Sequence, residues 1–193
     1  EKKRGLKPKQ LIAYGYDLLD QEVADYEALA GRQNERPTIL IGPSWQEDCI
    51  LDTCIDELIA PILGKGYRII VRPHPEYVKR YKPRWEALKG RWDHVGEEEL
   101  FFEEDFGSNE STFASDVLVT DWSSISCDFS FSTLKPTIFI DTPMKVGNPD
   151  WEDLGCEATD ITLRSQIGKA LPLDGLDAFA DEVAAMLDGH ERW

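Results

Sequence analysis

Five apolar runs of strand length recur between stretches of helical period, and that alternation limits the fold more than any other feature of the chain. The runs lie at Thr38–Gly42, Tyr67–Arg72, Glu99–Phe102, Val117–Thr120 and Thr137–Ile140. Helices are expected over Tyr16–Ala30, Leu51–Leu63, Tyr77–Leu88, Ser124–Leu134 and Leu176–Leu187. Alternating β and α units wind around a mostly parallel sheet, so the expected class is α/β with helices on both faces. The polar stretch from Gly31 to Pro37 separates the first helix from the first strand, giving a lead-in segment and linker over 1–36 and a sheet domain over 37–193.

In the common doubly wound order 3-2-1-4-5, strands one and four are neighbours where the winding reverses, and the loops leaving their carboxyl ends flank the ligand crevice. Those loops are Gly42-Pro43-Ser44-Trp45 and Asp121-Trp122-Ser123-Ser124. The loop after strand two, Pro73-His74-Pro75, falls on the same edge. Three polar, conformationally restricted corners therefore converge.

The corner at Asp121 is the most informative of the three. A buried strand, Asp116–Thr120, turns at once into the start of a helix, delivering two hydroxyls and unpaired backbone N–H groups to one point. Such a helix start attracts anions, above all phosphate. On this reading Ser123 and Ser124 bind phosphate while Asp121 accepts loop N–H bonds and shapes the turn. The plainer alternative makes Ser123 only an N-cap, worth ~1 kcal/mol of helix stability.

In Arg72-Pro73-His74-Pro75 the prolines hold Arg72 and His74 extended, leaving the imidazole on a stiff corner with little entropy to lose. Histidine there can act as general acid or base, or stabilise a developing phosphate charge. A rigid turn whose histidine bonds only backbone is the competing account. Arg72 faces either the sheet edge or the anion. Gly42 permits close backbone approach, and Trp45 either shelters a base or sugar or packs in the core. His94 and His190 stand in polar surroundings and read as surface residues, as does the acidic stretch Glu97–Asp105.

Composition narrows the partners. A formal net charge of −16 over 193 residues excludes nonspecific binding to nucleic acid or anionic membranes, so an anionic ligand must be held by local donors. No apolar run reaches the roughly 20 residues a bilayer span needs. Cys49, Cys54, Cys127 and Cys156 lack Cys-x-x-Cys spacing and read as free thiols in a reducing compartment. The chain opens Glu1-Lys2-Lys3-Arg4 without a methionine, which suggests a piece of a longer polypeptide. Dinucleotide, P-loop and hydrolase-elbow glycine motifs are missing, as are Asp-x-Asp and His-x-x-x-His pairs, so neither a cofactor nor a metal is expected.

With these motifs in view, the chain resembles the CDP-glycerol glycerophosphotransferase family of the teichoic-acid polymerase and primase type. The matching pieces are Gly15-Tyr16, Ile39-Leu40-Ile41-Gly42-Pro43-Ser44-Trp45, Arg72-Pro73-His74-Pro75, Asp116 through Ser124, Asp128-Phe129 and Lys135-Pro136-Thr137-Ile138-Phe139. Three positions, in two places, depart from the family pattern. Asp17-Leu18 replace the usual Pro-Arg, and Gln46 replaces an arginine.

The resemblance implies a Rossmann-like, donor-binding carboxyl-terminal half of a GT-B type architecture. It implies a donor such as CDP-glycerol, with Ser123, Ser124 and Arg72 on the diphosphate, His74 as the catalytic residue, and Gly42, Pro43, Ser44, Trp45 and Asp121 lining the donor site. It also implies a polymer or lipid-linked acceptor bound through a missing amino-terminal half, in cell-wall or capsule synthesis, in the cytoplasm at the inner membrane surface. A GT-B glycosyltransferase using a nucleotide-sugar, and a nucleotide-binding or scaffold domain without catalysis, are the alternatives.

Overall fold

The computed structural model describes residues 5–10, 12–29 and 34–189. Glu1 to Arg4, Ala30 to Gln33 of the linker, and His190 lie outside the described residues. Six parallel strands form one sheet in the order β3-β2-β1-β4-β5-β6. They are β1 (Thr38–Ile41), β2 (Arg68–Val71), β3 (Leu100–Phe102), β4 (Val117–Thr120), β5 (Thr137–Asp141) and β6 (Gly168–Pro172). The expected five-strand order is present, with β6 added at the edge beside β5.

The central strands are buried on both faces because their side chains alternate between two apolar layers. Ile39, Ile41, Ile69, Val71, Val117 and Val119 face the larger core, shared with α2 (Ile50–Thr53), α3 (Ile55–Ile59), α4 (Pro75–Arg80), α5 (Lys82–Arg91) and α9 (Phe179–Asp188). Leu40, Ile70 and Leu118 point the other way, onto Phe129 of α7 (Ile125–Thr133). Helices α1 (Asp17–Leu29) and α6 (Glu110–Ala114) pack beside α7. There the Tyr26 ring lies 6.2 Å from that of Phe113. The remaining helix, α8 (Thr159–Ile167), runs directly into β6.

Several expected elements differ. The helix expected over Tyr77–Leu88 is two, because Pro83 cannot sit in a helix interior and instead occupies the first turn of α5. The one expected over Leu51–Leu63 breaks at Cys54 and ends in turns before Gly66. The acidic stretch is not wholly solvated. Glu103 pairs with Arg72 at 2.8 Å, and Glu104 accepts from Trp85 Nε1 and from Lys89, pinning β3 to its neighbours. His94 is exposed and stacks on Trp92. All four cysteines are free thiols, and burial pushes Cys49 up to about 12 and Cys54 up to about 11. No helix among the described residues is long and apolar enough to cross a membrane.

Candidate active site

At the switch point between β1 and β4 one carboxylate ties the two loops together. Asp121, 1% exposed, accepts from Ser44 N at 2.7 Å and Trp122 N at 2.8 Å through Oδ1, and from Ile50 N at 3.1 Å through Oδ2. Its charge is thus consumed by backbone donors, which allows an anion to approach the same corner. The Thr120 hydroxyl adds a bond to Gly42 O at 2.6 Å. Packing is tight at Gly42: a Cβ there would meet Leu118 Cδ1 at 3.3 Å and Ile125 Cδ1 at 3.4 Å. Gly42, Pro43 and Ser44 are buried in this joint and, like Trp45, do not line the cleft at the start of α7.

Ser123 is half-buried and Ser124 exposed at the start of α7. Ser124 occupies the N-cap position in helical geometry and makes no side-chain capping bond, and Ser123 precedes it, so neither hydroxyl serves as the simple cap. Among the described residues neither hydroxyl, nor the N–H of Ser123, Ser124 or Ile125, has a protein partner. Ser123 and Ser124 open onto a cleft of about 290 Å³. Its lining includes Asp121, Trp122, Ser123, Ser124, Ser126, Lys145, Asp160 and Arg164.

His74 is the N-cap of α4, where its Nδ1 accepts from Glu76 N at 3.1 Å. A neutral ring bonded in this way carries its proton on Nε2. Burial, then the nearby Lys145 ammonium, pushes the imidazole below its ordinary value, favouring that neutral form. Its ring centroid lies 6.2 Å from the Trp45 ring. The half-buried Trp45 both packs on the core and carries the Arg80 guanidinium at 5.0 Å and Lys145 Nζ at 5.2 Å over its ring. Lys145 thereby connects the cleft to His74, which does not itself line the cleft.

Arg72 points to the outer side of the sheet. Its guanidinium bonds Glu103 at 2.8 Å and Ser111 Oγ at 3.0 Å, and it does not line the cleft. The cations that do are Lys145 and Arg164, neither singled out from the sequence. Arg164 lies 4.4 Å over the Trp122 ring and 4.7 Å over that of Phe139. Trp122 is fixed in turn by its Nε1 bond to Thr142 O at 2.9 Å. A sequence signal for Arg164 existed: it is the single Lys or Arg between Lys145 and Lys169, in a stretch rich in Asp and Glu.

The sequence model described as CDP-Glycerol:Poly(glycerophosphate) glycerophosphotransferase matches residues 2–146. The chain belongs to this glycerophosphotransferase family. The match covers all three corners, whereas α8, β6 and α9 lie beyond it. No curated protein matches. Among solved structures the chain is similar to the wall teichoic acid polymerase TagF, at 16% identity and a TM-score of 0.40 over 89% of this chain and 44% of that one. A histidine-to-asparagine form of TagF soaked with CDPG matches at 18% identity and a TM-score of 0.38, over 89% and 43%. The chain thus spans less than half the length of either structure.

Proposed function

We propose that this chain is the donor-binding domain of a transferase that moves glycerol phosphate, or a related polyol phosphate, from a CDP-linked donor to an acceptor hydroxyl. Family membership supports the reaction class. The observation that carries the donor role is the unpartnered serine pair at the start of α7, with the free N–H groups of Ser123 and Ser124, facing a cleft beside Lys145. A helix start whose adjoining Asp121 is satisfied by backbone N–H groups and whose own donors are free favours a diphosphate over other small anions, because two adjacent phosphates use both hydroxyls and amides. The cleft volume of about 290 Å³ sits at the lower end for small-molecule sites, matching part of a nucleotide rather than a polymer.

In the reaction, the acceptor hydroxyl oxygen attacks the glycerol-bearing phosphorus. The bond from that phosphorus to the bridging oxygen breaks, CMP leaves with the electron pair, the acceptor's proton is released to water, and a phosphodiester forms. Catalysis of this kind consists of positioning and charge stabilisation. His74 in the tautomer that its Nδ1 cap bond implies offers Nε2–H as a donor to a phosphoryl or bridging oxygen; it does not take the acceptor's proton while Nδ1 caps α4. Acceptor binding belongs to another domain of a GT-B type protein acting at the cytoplasmic membrane surface in cell-wall or capsule polymer synthesis.

Calorimetry comparing CDP-glycerol with a UDP-sugar tests the reading. Saturable binding of CDP-glycerol at least tenfold tighter is expected. Preference for the UDP-sugar would instead support a nucleotide-sugar glycosyltransferase. Nucleotide binding with no turnover by the full-length protein would support a non-catalytic domain.

A further inference from the structure

Helix α8 lies beyond the family match, yet it supplies three residues to the cleft lining, Asp160, Ile161 and Arg164. Arg164 is the unusual one. Its side chain is 11% exposed, and Nη2 lies 2.8 Å from Asp141 Oδ1. That distance pairs the charges, but the angle leaves Nη2 without a true hydrogen bond, and the enclosed Nε has none either. Buried guanidinium groups are ordinarily bonded on every side, and one left short has a reason. A packing role alone does not explain it, since an aliphatic side chain would fill the gap between Trp122 and Phe139 without burying a charge.

We propose that Arg164 is a phosphate-binding residue of the cleft, presenting Nη1 to the donor diphosphate that the Ser123–Ser124 corner holds. Nε and Nη2 are enclosed, which leaves Nη1 to meet a ligand. The two rings and Asp141 fix the guanidinium plane before any ligand arrives, so little side-chain entropy is lost on binding. In a chain of net charge −16, a fixed cation at this point supplies the local field that the whole molecule opposes. An arginine suits the position better than a lysine, because only a planar group can lie against both rings and still donate from its edge.

This inference rests on the diphosphate reading of the cleft, and the test separates the two. The 193-residue chain and its Arg164→Gln and Arg164→Lys variants are titrated with CDP, cytidine and inorganic pyrophosphate, with melting curves as the control for folding. Arg164→Gln is expected to weaken CDP and pyrophosphate by about tenfold or more while cytidine is unchanged, and to flatten the salt dependence of CDP binding. Arg164→Lys, which retains the charge without the flat fork, is expected to lose less. If the Gln variant does not fold, the Lys variant decides, and unchanged CDP affinity there overturns the proposal. Equal CDP affinity in wild type and Arg164→Gln, or equal losses for CDP and cytidine, also overturns it. Wild type binding pyrophosphate but not CDP defeats the nucleotide reading and leaves Arg164 to be judged on pyrophosphate; binding of neither defeats both.

Discussion

Removing the Asp121 carboxylate should loosen the joint between the β1 and β4 loops by an amount the hydrogen bonds define. In Asp121→Ala three N–H groups lose their acceptor; those of Ser44 and Ile50 sit on buried residues, that of Trp122 on a half-buried one. An orphaned buried donor costs about 1–3 kcal/mol, so the two buried ones give about 2–6 kcal/mol and Trp122 adds less. Relief of the buried charge offsets part of this, leaving an expected loss of about 3–5 kcal/mol. Asp121→Asn retains an oxygen for Ser44 and Trp122 but turns an NH₂ toward the Ile50 N–H, for a loss of about 2 kcal/mol. Urea unfolding followed by tryptophan fluorescence reads both. With a slope of about 2 kcal/mol/M, the alanine variant should unfold roughly 2 M earlier than wild type. A loss below about 1 kcal/mol in the alanine variant, or an asparagine variant as unstable as the alanine one, would refute the reasoning.

Three further outcomes follow from the site. The Ser123→Ala, Ser124→Ala double variant should change stability by less than about 0.5 kcal/mol, because neither hydroxyl bonds the protein, while CDP affinity falls about tenfold; calorimetry and urea unfolding in parallel check it, and a large stability loss would make the serines structural. His74→Ala should cost about 1 kcal/mol through the lost α4 cap, which His74→Asn restores, while both abolish turnover of the full-length protein; turnover by the Asn variant would contradict the Nε2–H role. Since Lys145 helps push His74 below its ordinary 6.5, Lys145→Ala should raise it in an NMR titration. A histidine depressed in the folded state makes stability fall as pH drops through 6.5 toward the folded value, so this variant should lose less stability on acidification than wild type.

The centre of the sheet was legible because β1, β2 and β4 are buried on both faces and must be unbroken apolar runs. The edge strand β6 was not. Gly168 and Pro172 at its ends read as breaks, yet Gly168 is what permits the pairing, since a Cβ there would fall 1.7 Å from Thr137 O. Helix α8 has no buried residue, so it carried no apolar stripe to read, and Arg164 was lost with it. The three corners were legible from their prolines, serines and glycine, and the Asp121 clasp followed from the need to neutralise an acid beside an anion site. Arg72 lay beyond such reasoning, because its partner Glu103 comes from an acidic stretch that looked solvated.

Backbone amide NMR of the chain titrated with CDP-glycerol tests the central claim most directly. The N–H signals of Ser123, Ser124 and Ile125 should show the largest shifts and saturate together, with the Lys145 and Arg164 segments following at the same ligand concentration. Saturation elsewhere on the surface with these amides unmoved, or no saturation at all, would contradict the donor site.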